Sequence, residues 1–149
     1  MPRLQEVIAD PNKRKQVVAD AAVVLDQEVG DKSGLSGMAI KGTYAILKGL
    51  KPGVVPELID GLVDEFAGAV DPIVARRPDG ASVQTYLDAH SNEVVQALLG
   101  VTDKRAEKST HQTLIKLYQK LRPTAEKNVA AAVPRLAVLV AKHVGADRG

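Results

Sequence analysis

The amino-acid sequence predicts an all-α, single-domain bundle of about five principal helices plus one or two short ones, with a central apolar C-terminal helix. Three observations carry this. Apolar residues recur at three- and four-residue steps along most of the 149-residue chain. Pro, Gly, Ser and Asp fall where helices start and stop. The β-branched doublets Val17-Val18 and Val54-Val55 keep helical spacing instead of alternating, so no segment reads as a strand. With 45% hydrophobic and 26% charged residues, the chain has the make-up of one globular domain, 1–149, large enough to fold without disulfide or structural metal.

The elements follow in order. Residues 1–9 are a candidate mobile arm, since Leu4 to Ile8 offers only a turn of helix. Asp10-Pro11 pairs a favoured N-cap with proline at the first helical position, opening a long amphipathic helix that carries Val17, Val18, Ala21, Val24, Leu25 and Val29 and stops at Gly30. After a loop over Gly30 to Gly34, Ser36 can cap a second helix that Lys51-Pro52-Gly53 ends. Pro56 opens a third with Leu58, Ile59, Leu62, Val63, Phe66 and Val70 inward, and Asp71-Pro72 repeats the cap-plus-proline signature for a short continuation to Arg77. Ser82 and Ser91 can each cap a short helix. Thr102-Asp103 starts the next segment, read as one long helix although Ser109-Thr110-His111-Gln112 fits a capping box. Pro123-Thr124 opens a last helix to about Val144 whose apolar residues nearly encircle it, with a kink at Pro134 and a frayed tail at 145–149.

Composition excludes several chemistries. The absence of cysteine removes disulfides, thiol nucleophiles and thiolate metal sites. Three tyrosines, one Phe and no Trp are a poor supply of stacking rings for single-stranded nucleic acid, and a net charge of +2 is not that of a dedicated polycation. The N-terminus lacks a signal-peptide apolar region and no stretch reaches the roughly 18 apolar residues of a membrane span, so a soluble cytoplasmic protein is expected. His90, His111 and His143 are far apart in sequence; Glu107 stands four residues before His111, but a metal needs a further ligand. The run Gly30-Asp31-Lys32-Ser33-Gly34-Leu35-Ser36-Gly37 lacks the order and preceding strand of a phosphate-binding loop. No cofactor, metal or catalytic residue is assigned, and an enzyme is not expected.

Charge is polarised along the chain. Residues 101–149 carry a net +6 and residues 52–100 a net −6. Helical spacing places Lys104, Arg105, Lys108, Lys116, Lys120 and Arg122 opposite Leu114, Leu117 and Leu121, while Glu57, Asp60 and Asp64 share a narrow face of the third helix. These are either solvated faces that attract each other across the bundle or a basic helix for docking an acidic partner, RNA or an anionic membrane surface. Gly42 and Gly49, and Gly61 and Gly68, are each seven residues apart, which puts each pair on one helical face and predicts either a close crossing of the two helices or tolerated exposed glycines.

The segments Lys41-Gly42-Thr43-Tyr44, Leu47-Lys48-Gly49-Leu50-Lys51-Pro52-Gly53 and Lys120-Leu121-Arg122-Pro123 resemble a small family of uncharacterised all-helical bacterial proteins. The resemblance implies a bacterial, cytoplasmic, helical protein and no particular activity. The expected function is that of a non-enzymatic interaction or scaffold protein, associating with itself or docking another protein through the basic helix. The alternative is a carrier holding an apolar or amphipathic small ligand in the bundle interior, since a core poor in aromatics is filled by small aliphatic groups that can leave a pocket.

Overall fold

The computed structural model describes residues 3–145 and is an all-α single domain; the frayed tail expected over 145–149 lies, from residue 146 on, outside the described residues. The helices are α1 (Leu4–Ile8), α2 (Pro11–Asp31), α3 (Gly34–Lys48), α4 (Val54–Ala75), α5 (Val83–Ala89), α6 (Ser91–Lys108), α7 (Gln112–Leu121) and α8 (Ala125–Gly145), with a 3-10 turn at Arg122–Thr124 before the last.

Several termini follow their sequence signals. The Asp10 carboxylate accepts from the backbone N–H of Asn12 at 2.9 Å with Pro11 at the first position of α2, and the Ser82 hydroxyl accepts from Thr85 N–H at 3.3 Å at the start of α5. Gly53, with φ 74°, takes the left-handed conformation that turns the chain into α4.

The core has two parts. In one, Leu4, Val7 and Ile8 of α1 pack with Val17 and Val18 of α2 and with Val63 and Ala67 of α4. In the other, the C-terminal half of α4 meets α5, α6 and α8 around Val74, Leu87, Val95, Leu99, Val133 and Val144. Helix α4 runs through both and joins them. Helix α8 packs on α1, α2, α5 and α6 and supplies five buried residues, yet it is not enclosed: Pro134 and Val138 face outward.

Three expectations are corrected. The first concerns α1, which is an anchored helix and not a mobile arm. Leu4, Val7 and Ile8 are buried, and the Asp71 carboxylate accepts from the backbone N–H of Leu4 at 2.7 Å and of Gln5 at 3.0 Å. The second is the other side of the same contact. Asp71 does not restart a helix at Pro72; α4 continues unbroken to Ala75, and the buried Asp71 satisfies the free amides at the start of α1, 67 residues away in sequence. The carboxylate does receive helix-start amides, but those of a different helix, whose own N-cap is Arg3.

The third concerns 91–122. Ser91 begins a helix of 18 residues that passes through Gly100 and Thr102 without interruption, and the chain then breaks at Ser109, where the backbone turns extended. The Thr102 hydroxyl bonds back to the Leu99 carbonyl at 3.2 Å instead of capping. His111 becomes the N-cap of α7, its Nδ1 accepting from Leu114 N–H at 3.3 Å, and Ser109 Oγ accepts from His111 N–H at 3.2 Å. The chain breaks near Ser109 in place of running on as one long helix, but the cap is His111 and the box of Ser109 with Gln112 is not formed.

Candidate interaction surface

The residues expected to form one basic face are divided by the break at Ser109. Lys104, Arg105 and Lys108 belong to α6; Lys116 and Lys120 belong to α7, with Arg122 just beyond it. Two of the six have structural work. Arg105 donates to the Gly61 carbonyl at 3.0 Å and pairs with Glu65 at 3.4 Å, tying α6 to α4. Arg122 binds Asp103 through two bonds of 2.9 and 3.1 Å, and Tyr118 donates to the same carboxylate at 2.5 Å, which clamps α7 back onto α6. The Arg122 guanidinium first, and the Tyr118 hydroxyl second, hold the Asp103 carboxyl below the ordinary carboxylate range. Lys104, Lys108, Lys116 and Lys120 are exposed.

The acidic face is already paired inside the chain. Arg14 of α2 reaches Asp60 at 2.8 Å and Asp64 at 2.9 and 3.0 Å, and donates to the Asp60 carbonyl at 2.7 Å. Glu57 pairs with Lys51 at 2.8 Å. Among the described residues the only ion pair between the basic and acidic segments is that of Arg105 with Glu65; α2, not α6 or α7, supplies the main counter-charge. Spacing along one helix could show the carboxylates to be neighbours but not which distant arginine would bridge them.

The histidines serve the scaffold. His90 Nδ1 lies 2.8 Å from the Tyr86 carbonyl and its ring stacks on Tyr86; His143 Nε2 lies 2.7 Å from Asp20, which also binds Lys142 at 2.9 Å. His111 and Glu107 sit on opposite sides of the break and share no helical face. Among the described residues no cluster of three metal-ligating side chains is present. The glycine-rich run is a short joint: α2 reaches Asp31, α3 begins at Gly34 with φ 73°, and a Cβ on Gly37 would lie 2.7 Å from the Lys32 carbonyl carbon.

An open groove of about 430 Å³ runs between α2 and α8, floored by Val23, Val24, Pro134, Val138 and Leu139 and edged by Asp20, Arg135 and Lys142. Its cations are already engaged, Arg135 with Glu28 at 2.9 Å and Asp31 at 2.5 Å, and Lys142 with Asp20. This groove lies at the surface, not in the bundle interior.

The close crossing expected of the glycine pairs is not made within the chain. A Cβ on Gly42 would meet nothing within 4 Å, and one on Gly49 would touch only carbonyls of its own last turn. Gly61 faces the Arg105 guanidinium at 3.5 Å and Gly68 the Gln5 amide at 3.2 Å, so the second pair accommodates polar side chains, not a helix backbone. Gly42, and Gly49 at the C-cap of α3, instead open onto solvent on an apolar face. Leu35, Met38, Gly42, Ala45 and Gly49 follow each other at alternating three- and four-residue steps, a strict two-position heptad seam, with Ala39 and Ile46 alongside, and every one is exposed. Leu35 is 88% exposed, Met38 70%, Ile46 51% and the adjoining Leu50 39%.

The opposite side of α3 is what holds it to the bundle. Gly37 and Thr43 are buried, Ile40, Tyr44 and Leu47 are half-buried, and Tyr44 donates its hydroxyl to Asp26 of α2. A helix apolar on both sides is ordinarily a buried one; here only one side is covered. Sequence reasoning singled out Gly42 and Gly49 and offered either a partner helix inside the molecule or exposed positions, of which the exposed one holds; it passed over Leu35, Met38 and Ile46. The signal was present as an apolar residue on nearly every side of 34–48, which a bundle-edge helix does not need.

Among the described residues no helix is long and apolar enough to cross a membrane. No curated protein and no solved structure matches the chain. Residues 4–144, nearly the whole length, match the model of a family of unknown function, DUF6918, and the chain belongs to that family.

Proposed function

We propose that the chain is a non-catalytic helical interaction protein whose docking element is α3. One observation carries this reading: the outward side of α3 is a continuous apolar seam with Leu35 and Met38 almost fully in solvent. Leu35, Met38, Ile46 and Leu50 leave on the order of 450 Å² exposed, in the range of the roughly 300–600 Å² patches that on monomers are often functional. The basic residues support docking less well, because two of the six are already engaged and the rest are divided between two helices.

The reading is tested by placing a photo-crosslinking residue at Leu35 or Met38 in cells, with Lys104 and Lys116 as comparison sites. Discrete protein adducts from α3 and none from the lysine positions are expected. Adducts confined to Lys104 or Lys116 would move the docking element to the basic helices, and the absence of adducts at all four sites would remove the interaction reading.

A further inference from the structure

Resting on the assignment of α3 as docking element, we infer that its partner is a second copy of the same chain, packed antiparallel, helix on helix, across the Gly42 face. Side-chain size changes in order along the seam. Within the seam itself the N-terminal half carries the large residues Leu35 and Met38 and the C-terminal half the small ones, Gly42, Ala45 and Gly49, while Ala39 flanks the large half and Ile46 the small one. An antiparallel second copy sets the large half of each helix over the small half of the other, so both ends fill together. A parallel copy would stack large on large at one end and leave a gap at the other. The surface is thus complementary to itself under a twofold rotation, which is the property an isologous dimer requires. The same alignment opposes the two helix dipoles head to tail.

The glycines distinguish this partner from a membrane surface. Gly42 disfavours helix without any reason inside the chain, since a Cβ there meets open space. A lipid-facing stripe gains from large apolar side chains and nothing from glycine. A helix crossing gains from glycine directly, because small residues let two backbones approach. Extent agrees as well. With Ala39, Ala45 and the flanking turn residues added to the large side chains, two copies would cover about 1,200 Å² in total, the lower edge of specific protein interfaces. A dimer that forms in the micromolar range is expected.

The purified full chain should pass from monomer to dimer in sedimentation velocity between about 1 and 200 µM. Raising salt from about 50 to 500 mM should not weaken it, whereas docking through the lysines would be screened. Gly42→Leu should weaken association at least about tenfold while circular dichroism and the urea midpoint stay at or above wild type, because the added side chain has space in the monomer. The chain has no cysteine, so single-cysteine variants report geometry cleanly. A mixture of Met38→Cys and Ala45→Cys, which the twofold at Gly42 sets opposite each other, should form the mixed disulfide faster than either variant joins to itself.

A chain that remains monomeric at the highest concentration overturns the inference, and so does Gly42→Leu dimerising as the wild type does. Predominant Met38→Cys self-joining would overturn the antiparallel arrangement. A monomer that floats with phosphatidylglycerol vesicles would assign the face to lipid instead. Photo-adducts at Leu35 to a different protein, with the purified chain monomeric, would overturn the second-copy partner while leaving α3 as the docking element.

Discussion

Replacing Asp71 by alanine should destabilise the protein by about 2–4 kcal/mol, far more than an ordinary carboxylate at the end of a proline-marked turn. Asp71 is 6% exposed and receives the N–H groups of Leu4 and Gln5, the first two residues of α1. Those amides have no partner within their own helix. Removing the acceptor leaves one buried and one half-buried donor unsatisfied, at about 1–3 kcal/mol each. The alternative open to the variant is to release α1 into water. That exposes Leu4, Val7 and Ile8, whose burial contributes about 1.5–3 kcal/mol apiece, and regains about 1–2 kcal/mol of backbone entropy for each of five residues. The burial lost and the entropy regained on release nearly cancel, so release of α1 limits the loss, and about 2–4 kcal/mol is expected in place of the full sum for two unsatisfied amides. Urea unfolding of Asp71→Ala, Leu4→Ala and the double variant measures it. A coupling of at least about 1 kcal/mol is expected, since both changes act on the docking of one helix. Asp71→Ala within about 0.5 kcal/mol of wild type, or strict additivity with Leu4→Ala, would refute the assignment of Asp71 as the acceptor that anchors α1.

Three further predictions follow from local geometry. Gly37→Ala should destabilise, because its Cβ would overlap the Lys32 backbone at 2.7 Å, whereas Gly42→Ala in dilute solution should stabilise by about 0.4–1 kcal/mol; urea midpoints of equal sign would contradict the surroundings of one of the two. Asp103, held below its ordinary value of 3.8 by Arg122 and then Tyr118, contributes stability that is present above that value and lost as pH falls through the lower folded-state one. The fall in urea midpoint below about pH 4 should therefore be shallower in Asp103→Asn, and an unchanged acid limb would show that the clamp is not formed in solution. Changing Lys108, Lys116 and Lys120 together to glutamine should leave thermal stability within about 0.5 kcal/mol of wild type, as exposed charges do, and should leave dimer formation intact; loss of the dimer in that variant would return the interface to the basic residues.

Much of this molecule is legible in its sequence, and the legible part is local. Helical periodicity and the pairing of Asp10 with Pro11 act within a few residues, so α2, α5 and the all-α class follow from spacing and capping alone. The same local signals mislead wherever a side chain spends its hydrogen bonds at a distance. Asp71-Pro72 has the form of a helix start, but its carboxylate turns to α1, and the Pro72 ring is accommodated within a continuing α4. Thr102 likewise turns back into its own helix, and the clamp of Arg122 and Tyr118 on Asp103 holds α7 against α6 after the break at Ser109.

What lies outside the reach of sequence alone is which of two apolar faces finds a neighbour. Periodicity shows that α3 is apolar and that Gly42 and Gly49 share one side of it; it contains no term for the angle at which α3 sits on α2 and α4. Only the tertiary arrangement decided that Gly37, Thr43 and Tyr44 turn inward and that Leu35, Met38 and Gly42 turn to water. The reason is geometric. A close approach at Gly37 against the Lys32 backbone sets the inward side of the helix, and a helix held by one face must present the opposite one.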